Sequence, residues 1–273
     1  MMRFFYGTAP GRLLFKALLG AGLPKWIALY LRSPFSRGMI PGFIKKHGID
    51  MSGYEEGPYK SFAQFFIRQK KNGVQFDSEP SRLISPCDGW LSAYPIRQNA
   101  SFEIKGSNYR VADLVGGADI ADEYQDGLCL VFRLTPSDYH RYVFIDDGRV
   151  DVNHFIEGKL HCVQPIALAA VPVFRLNRRC WTVLETENFG PVVQIEVGAV
   201  AVGGIVNDVE KSAVQRGREM GRFELCGSTI VQLFKKDAVA LLPRITAELT
   251  PDTEVQVKVG EWIGLAQSPK TPQ

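Results

Sequence analysis

The chain has 273 residues, 45% of them hydrophobic and 22% charged, which is enough for one full core and excludes a disordered or low-complexity chain. Its net charge of +3 hides an asymmetry, because eight basic residues precede the first acid, Asp50: residues 1–49 carry +8 and residues 50–273 sum to −5. Five cysteines, Cys87, Cys129, Cys162, Cys180 and Cys226, have neither metal-ligand spacing nor an even framework, which argues against a structural zinc site and for a reducing compartment.

The basic head is also apolar. Residues 11–32 and 35–48 read as short helices separated by Ser33-Pro34, with Leu13, Leu14, Trp26, Ile27, Leu29 and Tyr30 set among Arg12, Lys16, Lys25 and Arg32. Apolar stripes flanked by Lys and Arg suit a helix lying in a lipid interface, so the expected partner is an anionic phospholipid surface and not nucleic acid. Lys16, Gly20-Ala21-Gly22, Pro24 and Lys25 interrupt any run of the roughly 20 apolar residues that a spanning helix needs. A cleaved signal peptide is not expected either. The segment fits peripheral binding, with the cytoplasmic face of the cell membrane as the expected location.

Ser61–Lys70 predicts an aromatic-rich helix around Phe62, Phe65 and Phe66. From about residue 83 the pattern changes to short runs of Val, Ile, Phe and Leu punctuated by Gly, Pro, Asn and Asp. Strands are expected at Leu128–Leu134, Tyr142–Ile145, Val171–Leu176, Trp181–Glu185, Val192–Val197, Ala199–Val206, Thr229–Phe234, Ala238–Leu242 and Thr253–Val259. The expected fold is α+β, a β-rich core of barrel or sandwich type preceded by helices. Residues 1–75 form the helical, basic, membrane-facing segment and residues 76–273 the catalytic domain, with no linker or internal repeat between them.

Few residues can carry acid–base chemistry. Of His47, His140, His154 and His161, His140 is placed to act, because Thr135-Pro136-Ser137-Asp138-Tyr139-His140-Arg141 lies between two strands where a loop presents side chains. Asp88 sits in the turn Ser85-Pro86-Cys87-Asp88-Gly89, and a carboxylate there could orient an imidazole. Cys162 beside His161 is read as packing, since adjacent strand residues face opposite ways. Gly227-Ser228-Thr229 opens a strand; a serine attacking its own preceding carbonyl needs a bare preceding residue and a rigid frame, which Gly227 and the strand provide.

Eight motifs in order resemble the phosphatidylserine decarboxylase family. They are Ser61-Phe62 with Phe65-Phe66 and Arg68; Ser85–Gly89; Lys105-Gly106 with Tyr109; Pro136 with Asp138–Arg141; Gly158–His161 with Pro165; Asn188–Pro191; Val197–Ala199 with Val202-Gly203; and Gly217 with Glu219–Gly221, Phe223 and Gly227–Thr229. The resemblance implies that Ser228 attacks the Gly227 carbonyl, giving an ester and then a pyruvoyl group at position 228. The products would be a β chain of residues 1–227 and an associated α chain of residues 228–273, with homodimerisation open. The covalent pyruvoyl group would form a Schiff base with phosphatidylserine and release carbon dioxide, with no pyridoxal phosphate and no metal. Ser228, Asp88 and His140 are the implied catalytic residues, Gly227-Ser228 the cleavage site, and His161 and Thr229 possible accessories.

One departure stands out. The family usually carries a second histidine three residues after the Tyr-His-Arg histidine, in a relay with the aspartate and serine, and this chain has Val143 there. His140 serving both steps is preferred; His161 or His154 as a substitute, and slow or absent processing, are the alternatives. Gly204 widens the Val-Gly-Gly stretch. Two other functions compete with lipid decarboxylation: a pyruvoyl decarboxylase of a soluble aromatic amino acid, and an unprocessed membrane-surface binding protein.

Overall fold

The computed structural model describes residues 8–20, 22–104, 107–117, 119–159, 161, 172–199, 204–225, 228–250 and 253–267. Four helices lead: α1 (Ala9–Gly20), α2 (Leu23–Arg32), α3 (Ile40–His47), reached through a 3-10 turn at Pro34–Met39, and α4 (Phe62–Phe66). Residues 11–32 are thus two helices where one was expected, because Gly22 takes a left-handed conformation (φ 74°) at the start of α2. Gly48, also left-handed at φ 61°, ends α3, and Lys45, Lys46 and His47 occupy its last turn, where the carbonyl end of the helix favours positive charge. No described helix is long and apolar enough to cross a membrane.

Helix α4 is shorter than the expected Ser61–Lys70. Ser61 caps it by accepting from the Gln64 N–H at 3.2 Å, and Gln64 reaches back to the Lys60 N–H at 2.6 Å. Phe62, Phe65 and Phe66 share one face by their i, i+3, i+4 spacing and are buried with Ile40 and Leu225. Arg68, itself buried, donates to the carbonyls of Ser137 and Asp138, and Arg32 pairs with Glu224 at 3.0 Å. The helical head is therefore packed onto the body at several points.

Among the described residues, seventeen strands follow. They are β1 (Arg82–Ile84), β2 (Gly89–Pro95), β3 (Ser101–Ile104), β4 (Ser107–Arg110), β5 (Leu128–Leu134), β6 (Arg141–Val143), β7 (Gly148–Val150), β8 (His154–Ile156), β9 (Arg179–Thr186) and β10 (Gly190–Gly198). The remainder are β11 (Gly204–Asn207), β12 (Ser212–Val214), β13 (Glu219–Glu224), β14 (Ser228–Phe234), β15 (Val239–Leu241), β16 (Val255–Val257) and β17 (Trp262–Ala266). Short helices α5 (Val111–Leu114), α6 (Val173–Leu176) and α7 (Pro243–Glu248) connect them.

Nine strands form one sheet, in the order β12-β7-β9-β10-β14-β5-β2-β16 with β8 paired to β9, and β11-β13-β6 form a second, three-stranded sheet. The pairings leave these sheets open, so the barrel form of the expected core gives way to layered open sheets within the α+β class. Strand β14 is buried along its whole length because both faces of its sheet are covered. Alternation sends Ile230 and Phe234 into one core with Phe132, Leu134, Tyr142 and Phe223, while Val231 and Leu233 enter a second with Val131, Val193 and Ile195.

Two expected strands change. Val173–Leu176 is a helical turn after Pro172, closed by the Leu176 N–H on the Pro172 carbonyl at 3.2 Å and the Asn177 N–H on the Val173 carbonyl at 2.9 Å. Of Ala199–Val206, only Gly204–Val206 lies in a strand, β11, and residues 200–203 lie outside the described residues.

Candidate active site

Ser228 opens β14, paired with Leu134 of β5 on one side and Gly198 of β10 on the other. The Gly198 N–H donates away from β14, to the Arg178 carbonyl at 2.9 Å. Gly198–Ser228 is therefore a non-hydrogen-bonded pair, the close kind with about 4.5 Å between Cα atoms. Ser228 is 1% exposed, and its Oγ has no hydrogen-bond partner. Gly227 lies outside the described residues. Just before it Leu225 holds a left-handed φ of 49°, which costs on the order of 1–2 kcal/mol for a residue with a Cβ. The phenylalanine cluster of α4 buries that side chain.

His140 reaches the same place by a different route. Leu134 pairs with Ser228, and six residues later the His140 carbonyl accepts from the Phe223 N–H at 2.9 Å. The loop Thr135–Tyr139 thus spans from the start of β14 to the last residues of β13. Asp138 organises this loop, its Oδ2 accepting from the Thr135 N–H at 2.6 Å and the Thr135 hydroxyl at 2.8 Å.

The His140 ring lies on Phe66, centroids 3.9 Å apart, with Nδ1 2.9 Å from the Asp138 carbonyl. A carbonyl can only accept, so Nδ1 carries the hydrogen and Nε2 keeps its lone pair, buried and without a partner. Burial is the main cause that lowers its pKa to about 3, so the resting imidazole is neutral.

Asp88 stands nearby without touching that ring. Its Oδ1 accepts from the Val259 N–H at 2.9 Å, and its Oδ2 lies 3.4 Å from the Tyr139 nitrogen and 3.5 Å from Lys258 Nζ. The turn is tight: Gly89 has φ 155°, and a Cβ there would meet the Arg133 carbonyl at 2.9 Å. Asp88 therefore anchors the residue next to His140 in place of forming an aspartate–imidazole pair. Val143 donates its N–H to the Pro86 carbonyl, so position 143 abuts the Asp88 turn, and its buried side chain faces a cleft with Lys70, Tyr139 and Arg141.

The remaining candidates divide. Thr229 pairs with Val197 and Arg133, and alternation turns its side chain to the face opposite Ser228. His154 stacks on Trp181, centroids 4.1 Å apart, and His47 lies on Phe43 at 4.4 Å. His161 is linked to the site by a residue the sequence did not single out. The side chain of Asn177 accepts from the His161 N–H at 2.8 Å and donates to the carbonyls of His161 at 2.8 Å and Gly198 at 2.7 Å. An asparagine after an apolar run reads as a turn, and this long-range bracket has no local signature. Cys162 lies outside the described residues; Cys87, Cys129 and Cys180 are free and buried.

The same face of the sheet carries a second buried polar group further in. Glu196, opposite Ile230, accepts from Gln194 at 2.8 Å and Asn207 at 3.1 Å. Gln232 donates to Gln194 at 2.8 Å, and the Tyr142 hydroxyl to Asn207 at 2.6 Å. Burial raises the Glu196 carboxyl to about 7, against the pull of its two amide donors.

Comparison with known proteins gives the family. The family model described as phosphatidylserine decarboxylase matches residues 62–265, a span that includes Asp88, His140, His161 and Ser228. The chain is 42% identical over 265 residues to phosphatidylserine decarboxylase proenzyme 2 of Clostridium acetobutylicum, covering 96% of this chain and 91% of that one. It is 35% identical over 271 residues to the phosphatidylserine decarboxylase proenzyme of Ruminiclostridium cellulolyticum, with 97% and 90% covered. A third proenzyme of that name, from Clostridium botulinum, is 37% identical over 246 residues, with 88% and 83% covered. With more than half its length matched by the family model and relatives this similar along nearly all of it, the chain belongs to the phosphatidylserine decarboxylase family.

Proposed function

We propose that this chain is a precursor that cuts itself between Gly227 and Ser228 and then converts phosphatidylserine to phosphatidylethanolamine and carbon dioxide. The observation that carries the proposal is the pair of buried, unpartnered polar atoms at one place in the fold, Ser228 Oγ and His140 Nε2. Native interiors rarely leave such atoms unsatisfied, and an active site is a common reason. They fit a pyruvoyl group made from residue 228, which when formed supplies a carbonyl for the substrate amine and an acceptor for the electrons freed with carbon dioxide.

The chain's own residues do the rest. Residues 1–227 and 228–273 stay together after the cut because β14 is hydrogen-bonded between β10 and β5. His140 is neutral before substrate arrives, and an entering carboxylate favours its charged form, so its Nε2 takes up a proton that it can deliver to the former α-carbon. Asp88 holds the loop by accepting at Tyr139, and the burial of this corner excludes water from the reacting carbon.

Substrate is taken from a bilayer. The described face of α2 and the turn after it expose Trp26 (68%), Leu29 and Phe35 (85%) beside Lys25 and Arg37, an apolar surface with a positive rim. This favours a peripheral position on the anionic cytoplasmic face of the cell membrane, and it gives the lipid substrate preference over a soluble amino acid. The test is a decarboxylation assay on vesicles containing phosphatidylserine, with free serine and aromatic amino acids as competing substrates. Phosphatidylethanolamine is the expected product. Turnover of a soluble amino acid alone would overturn the proposal.

A further inference from the structure

The helical head meets the body at the residues that lead into the bond read as the cleavage site. Leu225 and Glu224 stand two and three residues before Gly227. The Leu225 side chain is 2% exposed and packs with Ile40 of α3 and with Phe62, Phe65 and Phe66 of α4, and Leu31 of α2 lies against the same cluster. Glu224 Oε2 pairs with Arg32, the last residue of α2, at 3.0 Å. Gly204 leaves room for that contact. It is opposite Glu224 in the β11–β13 pair, and a Cβ there would meet Glu224 Cβ at 2.9 Å and Oε2 at 3.4 Å.

Stability is a poor reason for these contacts. An ion pair whose arginine is half exposed is screened by water and stabilises little. Leu225 is held at a φ of 49°, where its Cβ is crowded by the backbone, and such a conformation persists only when its surroundings over-determine it. Three separate helices supply that determination. What they fix is the direction in which the chain leaves β13 toward Ser228, the first residue of β14. A hydroxyl attacks the carbonyl of the preceding residue efficiently only when the two are held about 3–3.5 Å apart and aligned.

We infer that the helical head belongs to the self-cleavage machinery: Leu225, locked by α3 and α4, and Glu224, latched to Arg32 of α2, are positioning residues that aim the Gly227 carbonyl at Ser228. The inference rests on the reading of Gly227–Ser228 as the bond that is cut. The clamp acts in the precursor alone. After the cut, Glu224 and Leu225 lie at the end of the 1–227 chain and no longer connect to β14, whereas Arg68 still holds the His140 loop through the carbonyls of Ser137 and Asp138. Loosening the clamp therefore slows cleavage and spares decarboxylation.

The experiment follows cleavage of the full chain by gel and mass spectrometry in Leu225→Ala, Leu225→Met, Arg32→Glu, the exchange of Arg32→Glu with Glu224→Arg, and Ser228→Ala. Fully cleaved protein is then assayed on detergent-dispersed phosphatidylserine, which removes any effect of the head on bilayer binding. Leu225→Ala should cleave about tenfold more slowly or worse, and Leu225→Met, which keeps an apolar anchor, within about threefold of the parent. Arg32→Glu should cleave about fivefold more slowly, the upper end for an exposed pair, and the exchange should recover to within about twofold. Each variant, once cleaved, should decarboxylate within about threefold of the parent, a split that general loosening of the fold would not give. Cleavage of Leu225→Ala or Arg32→Glu at the parent rate, an Arg32→Glu defect that the exchange does not rescue, or a matching fall in decarboxylation would each overturn the inference. If Leu225→Ala is obtained only as aggregate, the exposed Arg32 exchange carries the comparison. Ser228→Ala separates the two proposals: its cleavage would sink the reading of the cut bond itself, whereas its silence beside parent-rate cleavage of Leu225→Ala and Arg32→Glu would sink only the clamp.

Discussion

Two buried polar groups on one face of the nine-stranded sheet are treated in opposite ways. Around Glu196 the polar side chains form a chain, Gln232 to Gln194 to Glu196 to Asn207 to Tyr142, in which only Gln232 Oε1 lacks a partner. At Ser228 the hydroxyl and the His140 Nε2 are just as buried and have no partner. An unmade hydrogen bond in a dry interior costs about 1–3 kcal/mol, so the first group stabilises the junction between the two sheets and the second detracts from stability. On the proposed reading, the difference teaches where to look for chemistry: Ser228 Oγ and His140 Nε2, near a left-handed Leu225, are the atoms kept available to react.

The contrast can be broken from either end. The largest expected effect is at Ser228, where Ser228→Ala should abolish cleavage and decarboxylation together. Its melting temperature should be unchanged or slightly raised, because an unpartnered buried hydroxyl is removed. A clear fall in stability would mean that the hydroxyl has a structural partner. His140→Ala should lower decarboxylation by about 10²–10⁴-fold, and steady-state assay of the cleaved protein reads this directly.

The satisfied group should answer in stability. Asn207→Ala leaves Glu196 and Tyr142 without their shared partner and should cost about 1–3 kcal/mol in denaturant unfolding, while cleavage still goes to completion. The pH dependence gives a finer reading. With its carboxyl raised from 4.5 to about 7, Glu196 keeps its proton in the folded chain over a range where the unfolded chain has lost it. Its stabilising contribution is full below about 4.5, falls as pH rises to about 7 and is level above, a change on the order of 3 kcal/mol that Glu196→Gln should remove from the stability profile. The smallest effect belongs to the head. Reversing Lys25 and Arg37 to Glu should weaken flotation with anionic vesicles several-fold at low salt and much less at high salt, and should leave cleavage unchanged.

Much of the fold was legible. Leu128–Leu134 is a strand with the expected bounds and Thr229–Phe234 differs from β14 by one residue, because long runs rich in branched and aromatic side chains flanked by turn residues admit few other structures. Val171–Leu176 misled, since its apolar residues pack as a helical turn after Pro172. Ser228, Asp88 and His140 stand out in the sequence because each sits in a compact motif. What those motifs could not give was pairing: Asp88 is held by Val259 and Tyr139 and not by an imidazole. Asn177 was invisible for the same reason, as its partners lie 16 and 21 residues away.

The central claim is that Ser228 is a nucleophile that ends as the first residue of a new chain. Intact mass measurement of the purified, incubated full-length protein tests it most directly. The account predicts two species, one of residues 1–227 and one of residues 228–273 bearing a pyruvoyl group in place of the serine amine. A single species at the 30.4 kDa precursor mass after prolonged incubation would contradict it.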